Sequence, residues 1–208
     1  MGLYFAMTYG TEVVSYYLPF NMEHYHLSTG DVGVATAMFF VGATVSGYLL
    51  TYVIDFFQRK TMQFCIMLCA VGLFLVVIFH GMYWAYIAGV FIMGLGYGVI
   101  QPVIYDKTSY VAPTEKDSTS YFSYLLTCNY IGISVVPFII SGAKWMFHAT
   151  DDIYFSFLFN GIIVGLVLVL AIWKRKSFVF EADPTYYGSV QPAIPGLKGL
   201  LSNKTTSK

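Results

Sequence analysis

MQFCIMLCAVGLFLVVIF, residues 62–79, carries no polar side chain beyond Cys69 from Ile66 onward. An α-helix needs about 20 mostly apolar residues to cross the hydrocarbon core of a bilayer, so this stretch reads as a membrane span. FNGIIVGLVLVLAIW, residues 159–173, repeats the signal. The whole chain agrees: of 208 residues 57% are hydrophobic and 11% charged, against roughly 25% charged in a soluble domain. Mean hydropathy is +0.66. Such a chain cannot cover itself with charge, and lipid is its expected solvent.

Working outward, six spans are expected, at 3–20, 32–54, 61–80, 83–105, 119–141 and 153–173. They make an all-α transmembrane domain over 1–176, followed by a tail at 177–208. That tail holds Pro184, Pro192 and Pro195 among Gly, Ser and Thr, and reads as disordered. Ser28 or Thr29 can cap the second span, with Asp31 near its positive end. With a cytoplasmic N-terminus, ten of the eleven Lys and Arg fall on the inner side and Lys144 alone falls outside. Positive charge stays inside, so both termini are expected in the cytoplasm. The first span lacks a basic flank and a small-residue cleavage site, so it is not read as a signal peptide.

Several classes are disfavoured. The formal net charge is zero, which gives no nucleic-acid footprint. No P-loop, dinucleotide fingerprint or H-E-x-x-H is present, and no cofactor or enzymatic activity is expected. Cys65, Cys69 and Cys128 suit no disulfide framework and read as small packing residues. His24 and His26 beside Glu23 make only a weak metal pattern in an outer loop, and no metal site is expected.

Glu12 stands out within the first span. A carboxylate in mid-bilayer costs at least ~2.5 kcal/mol, so it normally faces a bundle interior or a water-filled path. Thr8, Glu12, Ser15 and Pro19 recur at helical spacing on one face. The fourth span has Tyr97, Gln101, Tyr105 and Thr108 in the same pattern, and the fifth has Ser123, Thr127, Tyr130 and Ser134. The second is weaker, with Thr36, Thr44, Ser46 and Thr51, while the third and sixth are greasy and read as peripheral. The order lined, lined, greasy, repeated once, suggests two three-helix units of opposite topology. The plain alternative is that these hydroxyls bond back to their own helices or act as glue between them.

Three stretches resemble the major facilitator superfamily. GYLLTYVIDFFQRKTM, 47–62, keeps Asp55, Arg59 and Lys60 of the family's loop pattern G-x-x-x-D-x-x-G-R-R/K, with Thr51 and Gln58 in place of its glycines. GLGYGVIQPVIYD, 94–106, is similar to the glycine-rich fourth helix of a half, and YFSYLLTCNYIGISVVPFIISG, 121–142, to the fifth. The resemblance implies half of a twelve-helix transporter, the C-terminal six helices being favoured. It implies a small solute moved by alternating access, as symport or antiport, in the cell membrane. Glu12 would contact the solute or carry a coupling proton or ion. Thr8, Ser15, Tyr16, Tyr97, Gln101, Thr127 and Tyr130 would shape the pocket, and Asp55, Arg59 and Lys60 would latch a gate. The partners implied are a small-molecule substrate, the lipid bilayer and the other half or a second copy, with no nucleic acid. A six-helix subunit with a structural or assembly role is the competing reading.

Overall fold

The computed structural model describes residues 2–57, 60–111, 115–149 and 155–174. Among these there is no strand. The helices are α1 (Gly2–Thr11), α2 (Val13–His24), α3 (Thr29–Tyr48), α4 (Leu50–Phe57), α5 (Thr61–Ile78), α6 (Tyr83–Val111), α7 (Glu115–Met146) and α8 (Phe155–Trp173). The expected tail at 177–208 lies outside the described residues.

Five stretches are each long and apolar enough to cross a membrane: Thr29–Tyr48, Thr61–Ile78, Tyr83–Thr108, Thr119–Met146 and Phe155–Trp173. The expected first span, 3–20, is not one unbroken helix. It is α1 and α2 in tandem, divided at Glu12, and neither half spans alone. The second span is likewise divided, at Leu49. Helix ends also run past the expected edges, because α6 continues to Val111 and α7 begins at Glu115. Charged residues end the apolar run without ending the helix.

The start of α3 follows the expectation. The Ser28 hydroxyl accepts from the Asp31 N–H at 3.2 Å, and the Asp31 carboxylate accepts from the Ser28 N–H at 3.0 Å. This capping box satisfies two amides that a helix start leaves bare. At the α5–α6 turn Gly81 adopts φ +83, open to glycine without strain.

Packing relies on small residues. A Cβ on Gly94 or Gly42 would strike the backbone of the facing helix across the α3–α6 contact, at Phe39 and Phe91 respectively. A Cβ on Gly89 would lie 2.8 Å from the Gly72 carbonyl oxygen across α5–α6. Lipid tails are as apolar as leucine, so backbone approach and dispersion hold such helices together. The greasy third span has one packed side and one open side. α5 lies against both α6 and α8 and buries Cys65, Ile66, Cys69 and Leu73 there, showing Met67, Val71 and Ile78 on its open side. Polarity alone cannot separate a face packed on apolar helices from one facing lipid.

Number the segments one to six, with α1–α2 as the first, α3–α4 as the second, and α5 to α8 as the rest. The second packs on the fourth and the fifth on the first. The third packs on the fourth, the sixth on the first, and the third on the sixth. Exchanging one with four, two with five and three with six leaves that pattern unchanged, as two inverted three-helix units require.

Candidate functional site

The site begins with the break at Glu12. The Glu12 N–H still donates to the Thr8 carbonyl at 3.0 Å, but the Glu12 carbonyl accepts from Ser15 N–H at 3.0 Å and Tyr16 N–H at 3.3 Å. The tightened turn has a local cause. The Thr11 hydroxyl donates back to the carbonyls of Met7 (2.9 Å) and Thr8 (3.2 Å), which bends helices by competing with the backbone ladder. The half-buried Glu12 carboxylate thus sits at a junction of two short helices, where the Ser15 side chain bonds it.

Beside it is a cavity of about 220 Å³. The α1–α2 junction contributes Thr11, Glu12, Val14 and Ser15, and α3 contributes Thr36, Phe39 and Phe40. Tyr97 and Gln101 come from α6 and Asn129 from α7. The four segments with expected polar stripes are therefore the four that wall the cavity.

A hydrogen-bonded lattice fixes one wall. Asn129 Oδ1 accepts from the Thr8 hydroxyl at 3.0 Å and from Tyr97 OH at 3.5 Å, and Thr8 and Tyr97 lie 3.2 Å apart, oxygen to oxygen. Gln101 Nε2 donates to Tyr4 OH at 3.1 Å, and Tyr4 and Tyr105 hydroxyls meet at 3.5 Å. Nearer the other end of the bundle, Tyr86 OH donates to the buried Asn21 Oδ1. From Tyr4 through Thr8 to Asn21 the partners on α6 run backward from Gln101 through Tyr97 to Tyr86, which sets the first segment antiparallel to α6. Gly132 lets α7 lie against α1 at the Thr8 level, where a Cβ would be 3.3 Å from the Phe5 carbonyl oxygen.

The expected site residues divide. Glu12, Ser15, Tyr97 and Gln101 come together around the cavity, and Thr8 is fully buried just behind it. Tyr16 is exposed and does not line it. Thr127 and Tyr130 lie on the opposite, exposed face of α7. Thr127 donates to the Ser123 carbonyl at 2.9 Å, and Tyr130 is 63% exposed beside a shallow groove with Ile131, Ser134 and Phe138. The inward face of α7 is instead Leu125, Asn129, Gly132, Val136 and Ile140. Asp55 is exposed on α4 and Lys60 is exposed before α5, while Arg59 lies outside the described residues. Sequence reasoning missed Asn129, Tyr4, Phe39 and Phe40. Tyr4 precedes Thr8 by one helical turn, and Asn129 precedes Gly132 by three residues, so spacing could have found both. The two phenylalanines carry no polar signal.

Among the described residues no three His, Cys, Asp or Glu side chains gather into a metal-holding group. Cys69 is buried with its Sγ 3.6 Å from the Met93 carbonyl oxygen, a packing position.

The sequence family described as Major Facilitator Superfamily matches residues 1–204. The chain belongs to that superfamily, whose members are membrane transporters of small molecules. Among curated proteins none matches the chain. The chain is an integral membrane protein, its apolar helices and its family agreeing on this point.

Proposed function

We propose that this chain is one half, the C-terminal six helices, of a secondary active transporter working by alternating access. The solute would bind near the bilayer midplane between this unit and another six-helix unit or a second copy, with both termini in the cytoplasm of a cell-membrane protein. Glu12 would contact the solute or carry a coupling proton or ion, Ser15 would orient its carboxylate, and Tyr97 and Gln101 would shape the pocket. The observation that carries this reading is Glu12 itself: a carboxylate at a break in a membrane segment, opening on a cavity walled by four segments. Thr127 and Tyr130 would then face the second unit rather than this cavity. Asp55, Arg59 and Lys60 would latch the inner gate, a role suggested by the loop pattern.

A second reading keeps the polar groups as glue in a non-transporting subunit. It is favoured by the way Thr8, Tyr97 and Asn129 satisfy one another. Cysteines placed at Ser15 and Gln101 separate the two. In membranes they should react with an impermeant thiol reagent, whereas cysteines at the open apolar positions Val71 and Leu166 should not. Protection at all four positions would refute the transport reading. In the complete transporter, Glu12→Gln should abolish uptake or its pH dependence, and unchanged transport would remove the role given to Glu12.

A further inference from the structure

Resting on the reading of this cavity as a solute site, we propose that its solute is a small monovalent organic cation of the ammonium type. The charge balance points this way. Glu12 is the one carboxylate lining the cavity, and neither Lys, Arg nor His lines it among the described residues. An anion would meet that carboxylate in a low-dielectric site with no compensating charge.

The remaining walls select among cations. Phe39 and Tyr97 lie with ring centroids 5.8 Å apart and planes 34° from parallel, and Phe40 stands edge-on to Phe39 at 5.6 Å. The face of an aromatic ring attracts an ammonium within about 6 Å, more strongly where water is excluded. A bare metal ion needs oxygen ligands in number, six to eight for calcium. This cavity offers one carboxylate among neutral hydroxyl and amide oxygens, of which those of Thr11 and Asn129 are already hydrogen-bonded within the bundle, and no three acids, His or Cys gather into a metal-holding group among the described residues. Gln101 gives an amide N–H to Tyr4, so its carbonyl oxygen is what it can present to a ligand N–H.

The test uses three methanethiosulfonate reagents of similar reach: trimethylammonioethyl (cationic), hydroxyethyl (neutral) and sulfonatoethyl (anionic). Each reacts with Thr36→Cys in lipid nanodiscs, and each rate is normalised to the same reagent acting on a free thiol. Ser15→Cys is a second reporter. The background is Cys128→Ser, because Cys65 and Cys69 are buried. The cationic reagent should react about 10- to 1,000-fold faster than the anionic one, the range by which a charged cleft concentrates counter-ions. Glu12→Gln should bring that ratio close to one. Phe40→Leu should reduce the cation-over-neutral ratio and the cation-over-anion ratio by the same factor, with the cationic reagent still the faster while Glu12 is present. Equal rates for all three reagents, or a ratio that survives Glu12→Gln, overturns the cation inference and leaves the transport reading standing. Silence of both reporters toward all three reagents overturns the transport reading beneath it.

Discussion

Replacing Gly94 by Ala tests the helix contact that forms one side of the cavity. A Cβ built there lies 2.9 Å from the Phe39 carbonyl carbon and 3.1 Å from the Ala43 nitrogen, and overlaps the Phe39 carbonyl oxygen. Ordinary carbon contacts sit at roughly 3.5–4.0 Å, so α3 must withdraw by about 1 Å. The obstacle is backbone, which has no rotamer to change. A gap of 0.5–1 Å forfeits about a quarter to a half of each neighbouring dispersion contact. Those contacts include Gly42 against α6 and Ser46 against Gly98. Overpacking of this kind costs about 1–3 kcal/mol, offset by about 0.5–1 kcal/mol for Ala over Gly within a helix. Gly33→Ala is the control, since nothing lies within 4 Å of its Cβ position on the same α3. It should gain the helix term alone. The two variants should differ by about 1–3 kcal/mol, or about 2–12 °C in Tm for a chain of this size. Tryptophan fluorescence during heating in one detergent reads the difference. If Gly94→Ala melts at or above Gly33→Ala, the close α3–α6 contact is wrong.

Three further outcomes are expected. Ser28→Ala removes the capping hydroxyl of α3 and should cost about 1 kcal/mol in the same melting assay, with Ser28→Thr, which keeps a hydroxyl beside Asp31, restoring most of it. In a double-mutant cycle, Thr8→Val and Asn129→Leu should couple by about 0.5–1.5 kcal/mol, the range for hydrogen bonds between membrane helices; additive effects would mean the bond contributes nothing. Thr127→Val should change stability by less than about 0.5 kcal/mol, because that hydroxyl is exposed and bonded within its own helix.

The sequence by itself determined the solvent, the class and most of the helix inventory. Residues 62–79 cannot be solvated by water, and that follows from composition without any partner. The Ser28–Asp31 cap is equally local, because its bonds span three residues. The cost of a buried charge singled out Glu12 wherever the helix might point. Tertiary structure decided everything that depends on which face of a helix meets which neighbour. Ser123, Thr127, Tyr130 and Ser134 form as regular a stripe as Leu125, Asn129, Gly132 and Val136, and periodicity cannot say which turns inward. Gly132 chooses, because α1 can approach only on its side. The same holds at Glu12, where the helix breaks through hydroxyl bonds that Thr11 makes to carbonyls up to one turn back. Phe39 and Phe40 read as ordinary apolar residues until α3 brings them beside a carboxylate. Local chemistry fixes what each residue can do, and only packing fixes what it does it to.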